Sequence, residues 1–195
     1  MPSRLTIVVA LLAALLLSGC GGGDADAPEQ PTAEITLPLQ ETADLQDAAE
    51  AAGCEVETYP EEGRTHDPEK DFKPADYKTN PPTSGNHDPI PAEDGIYTSG
   101  TPELGMLVHS LEHGRIHVQY KPGTPEETVD QLESLLAESE GYHMLLYENP
   151  TGMEPTVAAT AWRHSVTCPE MNDKVFDALR TFRTRYIDKA PEQIP

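Results

Sequence analysis

The chain is poor in basic charge: 13 Lys and Arg stand against 34 Asp and Glu in 195 residues, a formal net charge of −21. Nucleic-acid binding depends on Lys and Arg to neutralise phosphates, so this shortage excludes DNA and RNA as partners. Leu, Ile, Val and Phe make up only about 17% of residues 53–195, a content at which composition alone predicts disorder. A chain of this length predicts one domain. Because its apolar content is low, this domain needs a source of folding stability in addition to its apolar core.

Cysteine is also scarce, and its three residues divide into two groups. Cys20 lies near the amino terminus, whereas Cys54 and Cys168 lie in the body of the chain. The later pair lacks the close spacing of a C-x-x-C metal or redox motif. In an exported protein such a pair is most simply a disulfide. It would close a loop of over 100 residues. On the chain-entropy model, closing a loop of this length stabilises the folded state by about 4–5 kcal/mol.

Residues 1–19 have the features of a lipoprotein signal peptide. Arg4 precedes a 13-residue apolar run at positions 5–17, too short for the roughly 20 residues of a transmembrane helix. The sequence LSGC at 17–20 resembles the bacterial lipobox, whose Cys becomes the lipidated first residue of the mature chain. We therefore expect a protein of the bacterial cell envelope, anchored to a membrane through Cys20 and facing away from the cytoplasm. The alternative is an ordinary cleavage site with Cys20 unmodified.

The stretch from 20 to 52 is predicted to be an acidic, flexible tether. Residues 21–52 begin with three Gly and contain eight acids without Lys or Arg, a composition that stays solvated and repels itself. Only residues 44–52 have the character of a short helix. The globular domain is expected to span residues 53–195.

The order of elements predicts an α+β domain with a small mixed or antiparallel sheet and two helices. Residues 53–97, rich in Pro, Gly, Asp and Asn, predict a long irregular segment. In RIHVQY at 115–120 apolar and polar residues alternate, as in a strand with His117 and Gln119 facing solvent. Further strands are predicted at 142–147 and 155–167. The helices are predicted from a capping box at 124–127 to about 141, and from 172 or 173 to before Pro191.

Seven histidines carry the clearest functional signal. His109 and His113 are four residues apart, so on a helix both imidazoles would project from one face and could bind one ion. His66 and His87 lie in the irregular segment, where a loop could bring them over the first pair. The remaining three are interpreted as non-ligands: His117, His143 and His164.

Four stretches of the chain resemble a family of exported or membrane-attached bacterial proteins, the domain of unknown function numbered 3105. They are NPPTSGNH at 80–87, PAEDGIY at 91–97, LVHSLEHGRIHVQY at 107–120 and VAATAW at 157–162. The resemblance runs from about Gly53 to Glu192 and implies no reaction. It implies that the family's motif histidines are His66, His87, His109 and His113. Asn86 stands where the family more often has Pro, a change expected to loosen the approach of His87.

Four imidazoles without a free thiol suit zinc or copper. The leading hypothesis is therefore a metal-binding protein that takes part in copper or zinc handling. Met153, in a turn at 150–153, is the candidate for an additional copper ligand. The alternative interpretation is a polar histidine cluster that binds nothing, in a metal-free surface or interaction module.

The motif H-x-x-E-H at 109–113 supports a further hypothesis, a zinc-dependent hydrolase with Glu112 as general base. Gly114 and a predicted strand follow at once, which would cut the helix to little more than a turn. Such peptidases also need a larger domain and a distant acidic ligand. We therefore favour a binding protein over an enzyme, with Glu112 as the partner that fixes an imidazole tautomer.

Overall fold

A six-stranded mixed sheet forms the centre of the protein. In the computed structural model, which describes residues 35–192, the strands are β1 (Glu55–Thr58), β2 (Gly95–Tyr97), β3 (Ile116–Tyr120), β4 (Met144–Glu148), β5 (Val157–Ala161) and β6 (His164–Cys168). They lie in the order β1-β6-β5-β3-β4-β2. β4 pairs in parallel with both β2 and β3, and the other pairs are antiparallel. The predicted α+β class is confirmed, and of the two expected sheet types, mixed and antiparallel, the sheet is mixed.

Four α-helices accompany the sheet within the described residues. They are α1 (Leu45–Ala52), α2 (Leu104–Glu112), α3 (Glu126–Ala137) and α4 (Val175–Tyr186). The two predicted helices correspond to α3 and α4, and α1 and α2 are additional short helices. None of the helices between residues 35 and 192 has the length and apolar character needed to cross a bilayer. The predicted signal peptide and Cys20 lie outside the described residues.

One face of the sheet packs against α1, α3 and α4. Alternate strand residues such as Ile116, Val118 and Val157 are fully buried there, together with Leu132 of α3 and Phe182 of α4. Apart from Val157, these residues belong to the stripes that the alternating and helical patterns predicted to be buried. This shared core holds the main body of the domain together.

The other face of the sheet is covered too, which corrects one expectation. His117 is 0% exposed and Gln119 2% exposed, although the alternating pattern placed both in solvent. Helix α2 packs over this face, with Leu107 against Leu145 and Tyr147 of β4. Period-two alternation separates the two faces of a strand by polarity, but it does not show that the polar face meets water.

The ordered domain begins before the predicted boundary at residue 53. Asp44 caps α1, accepting hydrogen bonds from the amides of Gln46 and Asp47. Leu45 and Ala49 of this helix are buried in the main core. Because these residues form an apolar stripe one turn apart, burying them stabilises the helix. The end of the predicted tether is therefore part of the folded unit.

Two further details concern β1, β5 and β6. Cys54 and Cys168 form the predicted disulfide, which links the start of β1 to the end of its antiparallel partner β6. The single strand predicted at 155–167 is instead a hairpin of β5 and β6. Arg163 lies in its turn with φ of 69°, a left-handed conformation that ends one strand and reverses the chain.

Candidate metal centre

A short backbone bridge brings His66 and His87 together from two loops of the irregular segment. The amide of His87 donates to the carbonyl of Thr65 (3.0 Å), and the amide of Asp67 donates to the carbonyl of His87 (2.9 Å). The two imidazole rings lie with their centroids 4.8 Å apart. Main-chain hydrogen bonds therefore set the spacing of these two side chains.

The turn before His87 is held tightly. Gly85 has φ of 136°, and a Cβ at this position would lie 2.8 Å from the ring of Tyr77. The Tyr77 hydroxyl donates to the carbonyl of Asn86 (3.1 Å), and the Asn86 side chain accepts from the amide of Thr65 (3.0 Å). The Asn86 amide oxygen ties the two histidine loops together, a contact that proline lacks. That Asn86 loosens the approach of His87 relative to proline stays a prediction.

Helix α2 supplies His109 and Glu112. Val108 and Leu111 pack with Phe72 and Trp162 in a small apolar cluster, which fixes the rotation of the helix about its axis. The helix is nine residues long, more than the single turn that the sequence suggested, because it starts at Leu104. It ends as expected, with Gly114 in a left-handed conformation (φ 82°).

Hydrogen bonds to carbonyl oxygens fix the tautomers of two of the histidines. His87 Nδ1 lies 2.8 Å from the carbonyl oxygen of Gly85, and His109 Nδ1 lies 2.7 Å from that of Asp88. A carbonyl only accepts, so both rings carry their proton on Nδ1. Each Nε2 then presents a lone pair, the arrangement in which protein histidines bind metals.

Four side chains converge on one point, and we call them the inner group: His66, His87, His109 and Glu112. One ligand atom from each lies within 4.8 Å of the others. Glu112 Oε2 is 3.0 Å from His87 Nε2 and 3.7 Å from His66 Nε2. Ligand atoms around a tetrahedral zinc ion are separated by about 3.3 Å, given bonds of about 2.0 Å. The inner group thus has the donor types of a metal site and could hold a metal ion.

The contact between His87 and Glu112 is not a hydrogen bond. His87 Nε2 and Glu112 Oε2 are both buried and without a hydrogen-bond partner, although they are only 3.0 Å apart. With the proton of His87 on Nδ1, an ionised Glu112 would set two acceptors against each other. Buried polar atoms in native proteins normally have partners, so these two atoms call for a cation or a proton between them.

Burial favours the metal-binding forms of the imidazoles and disfavours that of the carboxylate. It lowers the pKa of His109 to about 4 and also lowers the pKa of His87. It raises the pKa of Glu112 to about 7, while the nearby Arg64 guanidinium acts in the opposite direction. Near neutral pH the two buried imidazoles are therefore uncharged, and the carboxylate is poised between its two states.

His113 belongs to a second cluster, the outer group: His109, His113 and Glu192. His113 Nε2 lies 2.9 Å from His109 Nε2 and 3.5 Å from Glu192 Oε2. The structure thus brings three of the four predicted ligands into the inner group, and it places His113 beside them, with His109 shared. Sequence reasoning missed Glu192, since nothing in its local sequence signals a ligand. It considered Glu112 only as a base or supporting partner.

The three histidines predicted to be non-ligands have other contacts. His117 lies 2.8 Å from both the Ser110 hydroxyl and the Tyr147 hydroxyl. His143 Nδ1 pairs with a carboxylate oxygen of Asp188, and His164 stacks on Tyr186. Met153 is buried, and its amide donates to Asn149 Oδ1. Its role as an additional copper ligand stays a prediction.

Comparison with protein families gives a match over most of the folded region. Residues 69–194 match the model of a family described as a protein of unknown function (DUF3105). The chain belongs to the DUF3105 family. The matched range contains every ligand candidate of the inner and outer groups except His66, which lies three residues before it. No curated protein and no solved structure matches this DUF3105 protein.

Proposed function

We propose that this DUF3105 protein binds one divalent transition-metal ion, zinc or copper, at the inner group. The observation that carries the proposal is the pair of buried, unpartnered atoms His87 Nε2 and Glu112 Oε2, 3.0 Å apart. A cation between them would satisfy both and remove their mutual repulsion. His66 and His109 complete four donors around the same point.

The donor set narrows the choice of ion. Three imidazoles and one carboxylate suit Zn²⁺ and Cu²⁺, whereas Cu⁺ prefers thiolate and thioether ligands. Cys54 and Cys168 are joined in the disulfide and offer no thiolate. Cu²⁺ binds a given nitrogen and oxygen site more tightly than Zn²⁺, so the metal available in the compartment decides which ion is carried.

We further propose that the protein is exported and held at the bacterial cell envelope by a lipid on Cys20. The LSGC sequence at 17–20 and the short apolar run before it support this localisation, and a disulfide is typical of proteins outside the cytoplasm. A protein bearing Cys20→Ala should be found in the soluble fraction instead of the membrane fraction. An unchanged membrane fraction of this variant would contradict the anchor.

The position of Glu112 favours binding over hydrolysis. In an H-x-x-E-H peptidase the glutamate acts on a water bound to the zinc ion. Here Glu112 Oε2 is within 4.8 Å of the nitrogen donors and 3.0 Å from one of them, which is a ligand position. We therefore assign Glu112 to the ligand set and the protein to metal handling.

The test is a metal titration of the purified full-length protein, with elemental analysis of protein isolated from its own envelope. We expect about one equivalent of zinc or copper. His87→Ala and His109→Ala should weaken binding by more than about 100-fold, since even outer partners of a ligand are worth about 10–100-fold. His164→Ala, outside both groups, is the matched control.

Three results would decide against the proposal. If wild-type protein binds neither zinc nor copper, and its melting temperature is unchanged when these ions are added, the protein would be a metal-free interaction module. Binding that survives His87→Ala unchanged would place the ion elsewhere. Turnover of a peptide or ester that is lost in Glu112→Gln, with the metal retained, would instead favour the hydrolase.

A further inference from the structure

The outer group exposes one side of the site to solvent. Glu192 is the exposed member, with 43% of its side chain accessible, while His113 is 8% exposed. His87 and Glu112 of the inner group are 0% and 1% exposed. A metal ion arriving from solution on this side therefore meets Glu192 and His113 before it meets the buried donors.

The fold attaches the carboxyl-terminal segment to the end of α2. The amide of Asp188 donates to the carbonyl of Gly114 (3.0 Å), and the amide of Glu192 donates to the carbonyl of Glu112 (3.1 Å). These bonds run alongside the last turn of α2 and set the Glu192 carboxylate next to His113. Because the backbone of Glu192 is hydrogen-bonded to that of Glu112, the fold itself places Glu192 beside the inner group.

His109 connects the two groups and prevents their simultaneous occupation. Its Nδ1 proton is donated to the carbonyl of Asp88, so only Nε2 remains as a donor to metal, and one lone pair binds one ion. We infer that the outer group is a loading site: His113, Glu192 and His109 capture the metal ion and pass it to the inner group. This inference rests on the proposed metal-binding function.

Charge distinguishes the side of the site where Glu192 is exposed from the side where His66 is exposed. His66 is also exposed, but Arg64 Nε lies 3.9 Å from Glu112 Oε1 and 3.2 Å from Glu61 Oε1. The positively charged Arg64 side chain therefore already lies next to the carboxylates of Glu112 and Glu61. Among residues 35–192, Glu192 forms no ion pair with Lys or Arg. The guanidinium of Arg115 also lies on this side, where it donates to the carbonyl of His113 (3.1 Å) and pairs with Asp94 (3.1 Å). The Glu192 carboxylate therefore keeps its negative charge available to attract a metal cation.

Transfer between the groups is an exchange of ligands. The bonds to His113 Nε2 and Glu192 Oε2 break, and bonds to His66, His87 and Glu112 form, while the bond to His109 Nε2 is kept. One carboxylate replaces another, so the net charge of the ion with its ligands is unchanged. No electron is transferred. On capture the hydrogen bond between His109 and His113 opens, and His113 Nε2 gives up the proton that it donates to His109 Nε2, so that its ring takes the tautomer with the proton on Nδ1. A proton on the Glu112 carboxyl leaves to solvent when that group binds the ion.

Stopped-flow mixing of the full-length, metal-free protein with Zn²⁺, and of the loaded protein with a chelator, tests the inference. Glu192→Gln should slow zinc association and dissociation by about tenfold each, the low end of what charge focusing contributes to capture rates. The equilibrium Kd should change less than about threefold, because a loading site accelerates both directions. His113→Ala should act in the same way. Glu126→Gln, which removes one exposed acid on α3 across the sheet, is the control.

Several outcomes would overturn the loading site. They are an unchanged association rate in Glu192→Gln, equal slowing in Glu126→Gln, or a Kd that weakens by the same factor as the association rate. Two zinc ions bound at once would show two separate sites. If wild-type protein bound no zinc at all, the proposed function itself would fail, and the titration of wild-type protein reports that result before any variant is compared.

Discussion

Replacing Glu112 by Gln is expected to stabilise the metal-free protein while it weakens metal binding. Glu112 is 1% exposed, and burial raises its pKa from 4.5 to about 7. The folded protein therefore keeps this proton up to about pH 7, whereas the unfolded chain releases it near 4.5. The stabilising effect of the neutral carboxyl is complete below pH 4.5 and is lost as the pH rises through 7. Above pH 7 the ionised carboxylate costs about 3 kcal/mol.

Urea unfolding in the presence of a chelator measures this effect. At pH 8 the Glu112→Gln protein should be more stable than wild type by about 3 kcal/mol, and at pH 5 by only about 1 kcal/mol. With saturating Zn²⁺ the order should reverse, because ligand binding to the folded state adds more stability to the protein that binds more tightly. Glu170→Gln, an exposed acid, serves as the control for the loss of one negative charge.

One result would refute the reasoning. If Glu112→Gln were less stable than wild type at pH 8 without metal, the carboxylate would make net favourable contacts in the folded protein. Glu112 would then be a structural residue, and its unpartnered oxygen would say nothing about a cation. A stabilising substitution in a buried position is the signature of a group retained for function at the expense of stability.

Three further predictions concern His117, the disulfide and Gly85. Burial lowers the pKa of His117 to about 3, so its proton uptake on unfolding should remove about 2 kcal/mol of stability between pH 7 and pH 5. In urea unfolding, the free energy of unfolding of wild type minus that of His117→Gln should fall by about 2 kcal/mol from pH 7 to pH 5, because the opposite change that Glu112 causes is common to both proteins. Equal pH slopes of the two proteins would contradict this prediction. Serine at Cys54 and Cys168 should lower the unfolding free energy by about 4–5 kcal/mol, and an unchanged urea midpoint would argue that the bond does not form. Gly85→Ala should weaken Zn²⁺ binding, measured by titration, because its Cβ would meet the Tyr77 ring beside the carbonyl that holds His87. Gly53→Ala, also at positive φ but in open space, should lower stability alone, and equal affinities of the two variants would contradict this account.

The elements with strong local patterns were predictable from the sequence. The stripe of Leu132, Leu135 and Leu136 in α3 and that of Leu179 and Phe182 in α4 are buried as expected, because helical spacing alone puts them on one face. The disulfide followed from the number and spacing of the cysteines. The exposure of His117 was mispredicted, since the position of α2 over the sheet has no local signal.

The candidate site, too, was predictable from the sequence only in part. The sequence predicted histidines as the candidate metal ligands, because residue type and helical spacing are properties of the chain itself. The evidence was the four-residue spacing of His109 and His113 and the presence of His66 and His87 in turns. Only the tertiary structure decided that Glu112 joins three of them and that Glu192 pairs with His113. Those contacts depend on the bridge between two loops and on the docking of the carboxyl-terminal segment, which bring together residues up to 83 positions apart. No pattern confined to neighbouring residues specifies where such distant segments cross.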